Sequence, residues 1–404
     1  MAASNPLDGY TVDPSTIRYV GSELQRPECI LAEPDGTLWA ADARGGVTRI
    51  APDGSQRYIG QRADTRFGDG ADDAGAAVQA RYTQGTLPNG MAFAADGSIL
   101  ISNFGTDRLE IMDRDGRTRT LIDNIDGQPI GKVNFVLRDT RDRVWLTVST
   151  RVNPWTRALA DRVRDGYVAV LEDGRIRVVA DGFHFTNEIR LDAREQWLYI
   201  VETTGPRITR MRLDESRPGE VRLVDREIFG PAHLGGLPDG IAFDAHGNLW
   251  ATLIMVDRLI ALTPQGDMRL LLDDGDAEAS ANLMRRFDAG TLRSEDMQRA
   301  RRHRAVDGQH HLRRPGPAHR VSGQPVRHAH SLLPLARSRS ADGALAKGRP
   351  LNARRTQLAP AQHPPAGVLT DALRAAGAMA FSNRMLFSMW ICAIRSSLKA
   401  RSPR

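Results

Sequence analysis

Five oxygen-bearing side chains recur along this 404-residue chain in one local setting. They are Glu28, Asn89, Asn134, Asn187 and Asp239, separated by 61, 45, 53 and 52 residues. Seven residues after each stands a turn dipeptide: Asp35-Gly36, Asp96-Gly97, Arg141-Asp142, Arg194-Glu195 and His246-Gly247. Eleven after each stands a large apolar residue: Trp39, Leu100, Trp145, Leu198 and Trp250. All five anchors offer oxygen, and none offers sulfur or imidazole. Carboxylate and amide oxygens suit hard divalent ions such as Ca²⁺ and Mg²⁺, whereas a structural zinc site draws on Cys and His. Such an ion at the bottom of a pocket polarises a carbonyl or phosphoryl oxygen and lowers the pKa of bound water. With a carboxylate at hand as general base, this is equipment for hydrolysing an ester or a lactone. Asp239 is the residue for a double role, as ligand and as base or nucleophile.

Pro-Asn-Gly and Pro-Asp-Gly are also turn sequences in their own right, so Asn89 and Asp239 taken singly admit a purely structural reading. Glu28 before Cys, Asn134 before Phe and Asn187 before Glu are not such pairs. Turn punctuation therefore leaves those three unexplained.

The elements that must position these residues follow from the same spacing. Between each anchor and its turn lies an apolar run of strand length: "CILAE", "MAFAA", "FVLRD", "IRLDA" and "IAFDA". A further turn closes most units, at Pro52-Asp53-Gly54, Asp115-Gly116, Asp173-Gly174 and Gln265-Gly266. Each unit thus offers four short strands, and its length lies in the ~40 to 50 residues of propeller blades. The chain is expected to be all-β, a propeller with five recognisable blades and the anchors ringing one mouth of its channel. In blade three an insertion, "RVNPWTRALADRV", is expected as a loop with a helical end, a lid over that mouth. Lys132, ahead of the first strand of blade three, and Trp155, in the insertion, are candidate substrate contacts, with a solvated lysine and a packing tryptophan as the plainer alternatives. His184, His233 and Cys29 are expected to be packed residues without chemistry.

Charge divides the chain. Residues 299–404 carry 20 Lys plus Arg against 3 Asp plus Glu, whereas the first 298 carry 35 against 46. Domain bounds of 1–298 for the propeller and 299–404 for an irregular basic tail follow. Only Cys29 and Cys392 are present, which excludes a disulfide framework. The start, "MAASNPLDGYTVD", has no secretory pattern, and "GAMAFSNRMLFSMWICAI" is broken by Asn383 and Arg384 and too short to cross a bilayer. A cytoplasmic protein with no membrane partner is expected.

The stretches "RPECILAEPDGTLWAADARGGVTRIAPDG", "GKVNFVLRDTRDRVWLT", "TNEIRLDAREQWLYIVET" and "LPDGIAFDAHGNLW" resemble successive blades of the family that includes gluconolactonase, regucalcin (senescence marker protein), the LRE-like proteins and the squid-type phosphotriesterases. The resemblance covers about residues 17–298. It implies a six-bladed propeller that binds one divalent metal ion through a Glu, two Asn and an Asp, here Glu28, Asn134, Asn187 and Asp239. Calcium is the first choice, with zinc and magnesium as alternatives. Asn89 matches a blade that gives no ligand in the family and is left as a substrate contact. In many members an Asp follows the Asn of the third blade and supports the site; here Phe135 stands there. The implied activity is opening of a sugar lactone by metal-polarised water. A non-catalytic calcium-binding or protein-interaction propeller, or a phosphotriesterase-like hydrolase, is the alternative.

No sixth copy of the repeat follows residue 299. "STIRYVGSEL" near the N-terminus reads as a strand awaiting a partner in a closing blade. The tail is poor in strand formers, yet "DGQHHLRR" read one base later gives "MASITFG" with suitable third bases. A change of frame near Arg301 or Arg302 would account for the missing blade. A genuine basic arm that binds nucleic acid is the competing reading.

Overall fold

The computed structural model describes residues 5–14, 17–63, 85–160, 163–217 and 219–292, with 378–379. The expectations for the tail, for Cys392 and for the proposed frame change lie outside these residues, apart from 378–379.

Five antiparallel sheets follow one another along the chain, each a meander of four strands in sequence order. Their innermost strands are Ile30–Ala32, Pro88–Phe93, Val133–Arg138, Thr186–Leu191 and Leu237–Phe243. In blades two to five these strands are mostly buried, whereas in blade one only Ile30 is; they pack from each blade to the next and read as apolar runs, while the outermost strands alternate or face water. Blade two gains a fifth, parallel strand, Arg62–Ala63. The described residues form five blades of an all-β, propeller-like architecture.

Both recurring sequence signals have a physical cause. In all five turns the second residue takes a left-handed backbone, with φ of +91° at Gly36, +82° at Gly97, +69° at Asp142, +53° at Glu195 and +80° at Gly247. Glycine meets that demand without cost in three blades, and Asp142 and Glu195 adopt it at ~1–2 kcal/mol each. The apolar residues eleven after the anchors, Trp39, Leu100, Trp145, Leu198 and Trp250, are all buried between blades. Two of the tryptophans anchor through their indole N–H, Trp145 to Asp139 Oδ2 at 2.8 Å and Trp250 to Asp244 Oδ2 at 3.0 Å. In blade one the corresponding carboxylate is Glu33, which pairs with Arg114 at 2.8 Å, and that guanidinium lies over the Trp39 ring.

Among the described residues two helices decorate the blades. Helix α1 (Thr156–Ala160) is the helical end expected in the blade-three insertion. Helix α2 (Ala277–Asp288) starts at Asp276, whose carboxylate accepts from Ala279 N at 2.9 Å. Its buried face, Ser280, Leu283, Met284 and Phe287, keeps the three-and-four spacing of an amphipathic helix and packs on blade five. The N-terminal segment lies on the same blade: Leu7 is buried there, Tyr10 meets Trp250 edge to face, and Val12 N donates to Leu271 O at 2.7 Å. Ten residues later Ser22 joins Gln56 on the outermost strand of blade one. Between them Arg18–Val20 forms a strand, paired in parallel with Ala378–Met379. No described helix is long and apolar enough to cross a membrane.

Candidate functional site

The anchors of blades two to five share a backbone device. The pairing register breaks between Pro88 and Met91, between Val133 and Phe135, between Thr186 and Ile189, and between Pro238 and Ile241. Asn89, Asn134, Asn187 and Asp239 stand within those breaks. A bulge leaves a residue out of the ladder and re-aims its side chain, and here each break lets a polar group leave an apolar strand toward the axis. In blade one the same end is met differently: Arg26 takes φ +46° and Glu28 N donates to Arg26 O, just ahead of the first strand.

Hydroxyls bind each break to its neighbours. Ser102 Oγ donates to Asn134 O at 2.7 Å, Thr147 Oγ1 to Asn187 O at 2.8 Å, and Thr203 Oγ1 to Pro238 O at 2.8 Å. Each of these bonds ties a blade to the anchor region of the next. Gly240 N, released from the ladder, donates to Thr252 Oγ1 at 3.0 Å, and Ile241 N to Glu188 Oε2 at 3.1 Å.

All five anchors come together. Glu28, Asn89, Asn134, Asn187 and Asp239 line one cavity, and each is buried. Asn187 Nδ2 donates to Asp239 Oδ1, and Asn89 Nδ2 donates to Asn134 O at 2.9 Å with Asn134 Oδ1 at 3.3 Å. Arg26 joins the other end: its Nη2 lies 2.8 Å from Glu28 Oε1 and 2.9 Å from Asn89 Oδ1. The wider groove between the outer strands of blades one and two, lined by Arg57, Arg62 and Arg117, holds none of the anchors.

The donors fit a hard cation. Two carboxylates and two amides, with no thiolate or imidazole among the cavity's residues, are the oxygen chemistry that calcium and magnesium take and that zinc does not favour. Among the described residues no group of three His, Cys, Asp or Glu has metal-binding spacing, so the amides are indispensable to any such site. The Arg26 guanidinium already places one positive charge against Glu28, and a cation entering the ring would compete with it for that carboxylate.

Trp155 also lines the cavity, held edge-to-face against Phe104 at 5.3 Å and tilted against Phe185 at 5.9 Å. Lys132 does not line it. It is neither solvated nor turned to the ring: its ammonium pairs with Asp107 at 2.7 Å and donates to Phe104 O at 3.1 Å, fixing the loop that carries Phe104. Cys29 is buried and His184 half-buried, as packed residues should be. His233 departs from that expectation: it is exposed, with its imidazole 3.6 Å from Asp288.

Phe135 carries the Arg190 guanidinium stacked on its ring at 4.5 Å. That arginine pairs with Glu188 at 2.9 Å. Burial pushes the Glu188 carboxyl up to about 7 despite Arg190 and the Ile241 N–H, and the neighbouring Asp239 charge adds to the effect. Glu188 of blade four thus places a carboxyl group behind the ring, beside Asp239. Sequence reasoning missed Glu188, Arg26 and Thr203. The hydroxyls at Ser102, Thr147 and Thr252, thirteen residues after their anchors, were a further register of the repeat that would have located the breaks.

The chain is similar in sequence to known proteins. Over 126 residues the chain is 30% identical to a 6-deoxy-6-sulfogluconolactonase of Pseudomonas putida, covering 29% of this chain and 42% of that one. Over 172 residues it is 26% identical to a gluconolactonase of Zymomonas mobilis, covering 41% and 48%. The matched region spans less than half the length of either relative. A solved gluconolactonase of Xanthomonas campestris superposes with a TM-score of 0.47 at 20% identity, over 64% of this chain and 78% of that one. The family model for the SMP-30/gluconolactonase/LRE-like region matches residues 70–273, about half of the chain, and the chain belongs to that family.

Proposed function

We propose that this protein is a divalent-cation-dependent lactone hydrolase of the gluconolactonase type, with Glu28, Asn134, Asn187 and Asp239 holding the cation and Asp239 acting as general base. The observation that carries the reading is the convergence of these four residues, from four blades, on one buried cavity. A bound Ca²⁺ would supply Lewis-acid polarisation of the lactone carbonyl. The chain's own part is to orient the ester and to move a proton. Asp239 Oδ1, which accepts from Asn187 Nδ2, takes the proton of the attacking water and returns it to the ring oxygen as the acyl–oxygen bond breaks. Asn89, clamped by Arg26 and Asn134, borders the same space as a substrate contact. Sugar lactones are the substrates named for the two curated relatives, and a lactone is accordingly the partner proposed here.

The remainder of the chain belongs to the same reading. Residues 12 to 22 run from the outermost strand of blade five to that of blade one and carry a strand midway. This path supports a sixth blade between them, and residues 299–404, as a frame-shifted product, would be what stands in its place. DNA sequencing across the codons for 299–303 tests this; an intact frame with no sixth repeat in the shifted reading refutes it.

The activity is tested by hydrolysis of glucono-δ-lactone with Ca²⁺ supplied. Turnover abolished by chelator and by Asp239→Asn is expected. Turnover indifferent to both removes the mechanism, and calcium binding without any lactone turnover favours a non-catalytic propeller.

A further inference from the structure

The cavity has two chemically distinct zones. Its floor is the polar ring. The other zone is a largely apolar collar: Phe104, Trp155 and Met255 come from loops after second strands, Phe185 stands just ahead of the first strand of blade four, Phe287 lies on α2 and Leu292 follows it. Leu159, Leu237 and Ile254 complete it. The collar is built rather than incidental, because Phe104, Trp155 and Phe185 hold one another by aromatic contacts and the insertion carrying Trp155 has its own buried cluster. The polar residues of the floor outside the four proposed ligands are already engaged. Asn89 accepts from Arg26 and donates to Asn134, while Thr203 donates to Pro238 O and accepts from Asn187 Nδ2 at 3.2 Å.

We infer that the substrates this site selects are lactones bearing an alkyl or aryl substituent, rather than polyhydroxylated sugar lactones. The inference rests on the lactonase reading and narrows its substrate class. A lactone whose carbonyl faces the polar ring directs its ring substituents at the collar. Hydroxyls there exchange water for a wall that is mainly hydrocarbon, which is unfavourable. Methylenes in the same place leave water for an apolar wall, which is favourable. Trp155 and Met255 are then specificity-determining residues.

Binding separates this inference from the activity on which it rests. Isothermal titration of the full chain with Ca²⁺ compares two non-hydrolysable lactams, glucono-δ-lactam and a δ-lactam carrying a pentyl chain. The pentyl lactam is expected to bind at least ~10-fold more tightly, the scale on which a hydrophobic pocket discriminates. Met255→Gln, which keeps the side chain's length, should lower the affinity for the pentyl lactam by a larger factor than that for the gluconolactam, and an unchanged ratio would overturn the inference. Equal or tighter binding of the gluconolactam overturns the inference, whether or not any lactone is turned over. Parallel kinetics with δ-decalactone and glucono-δ-lactone should show the same order in kcat/KM. Failure to hydrolyse either would refute the hydrolase reading, while the lactam preference would still report the collar.

Discussion

At the scale of single residues, the cavity is a contest of charge. Glu28 and Asp239 bring two negative charges and Arg26 returns one, through a guanidinium 2.8 Å from Glu28. On the proposed reading a hard cation would have to displace or share that contact, so Arg26 would lower cation affinity while tying Glu28 to Asn89. Arg26→Met, which keeps the stem and removes the charge, should tighten calcium binding by about tenfold, measured by calorimetry; the competition of one nearby unit charge at an effective dielectric of ~20 is large enough for that. An unchanged affinity would show that Arg26 and the cation occupy separate places. Asn187→Leu should act oppositely and weaken binding, since it removes an amide oxygen from the proposed set.

At the scale of elements, stability rests on how each blade satisfies the polar groups it buries. The Trp250 indole N–H has its partner in Asp244, which also accepts from His246 N and Asn248 N. Asp244→Ala orphans several donors at once and should cost about 2–4 kcal/mol in denaturant unfolding. Glu202, at the end of the second strand of blade four, illustrates the pH side. Burial tends to raise its carboxyl, but donors at Arg207, Thr209 Oγ1 and His184 N outweigh this and hold it below the usual carboxylate range. A carboxyl depressed in the folded state stabilises the fold fully above its unfolded pKa, near 4.5. That contribution is lost as pH falls below this value and the folded group protonates. The melting temperature of the parent chain should therefore drop more steeply than that of Glu202→Gln as pH falls below about 4.5, and parallel curves would refute the linkage.

At the scale of the whole molecule, the open question of geometry is closure. The innermost strands pack in series from blade one to blade five, but among the described residues no comparable packing joins blade five to blade one. Helix α2 and the N-terminal segment pack against blade five. A ring left open exposes unpaired strand edges, which invites association with other chains. A chain read in the shifted frame after residue 300 should consequently be more monomeric and melt at higher temperature than this one, by light scattering and calorimetry. The reverse order would count against a sixth blade.

Much of this was legible in the residues, for a physical reason: a repeat writes the same local demands many times. The left-handed turn at Gly36 recurs at Asp142 and Glu195 even though the amino acid changes, and the buried apolar residue at +11 recurs five times, so period and blade class could be read off without coordinates. Oxygen donors at the heads of the inner strands were legible too. What the chain in one dimension did not reveal was how those donors face one another. Arg26 against Asn89, Glu188 behind Asp239, Lys132 turned away to Asp107, and the apolar wall beside the ring all arise between residues tens to hundreds of positions apart. Spacing along a strand specifies which face a side chain takes, whereas its neighbours across the axis depend on how separate blades pack, and only the assembled structure decides that.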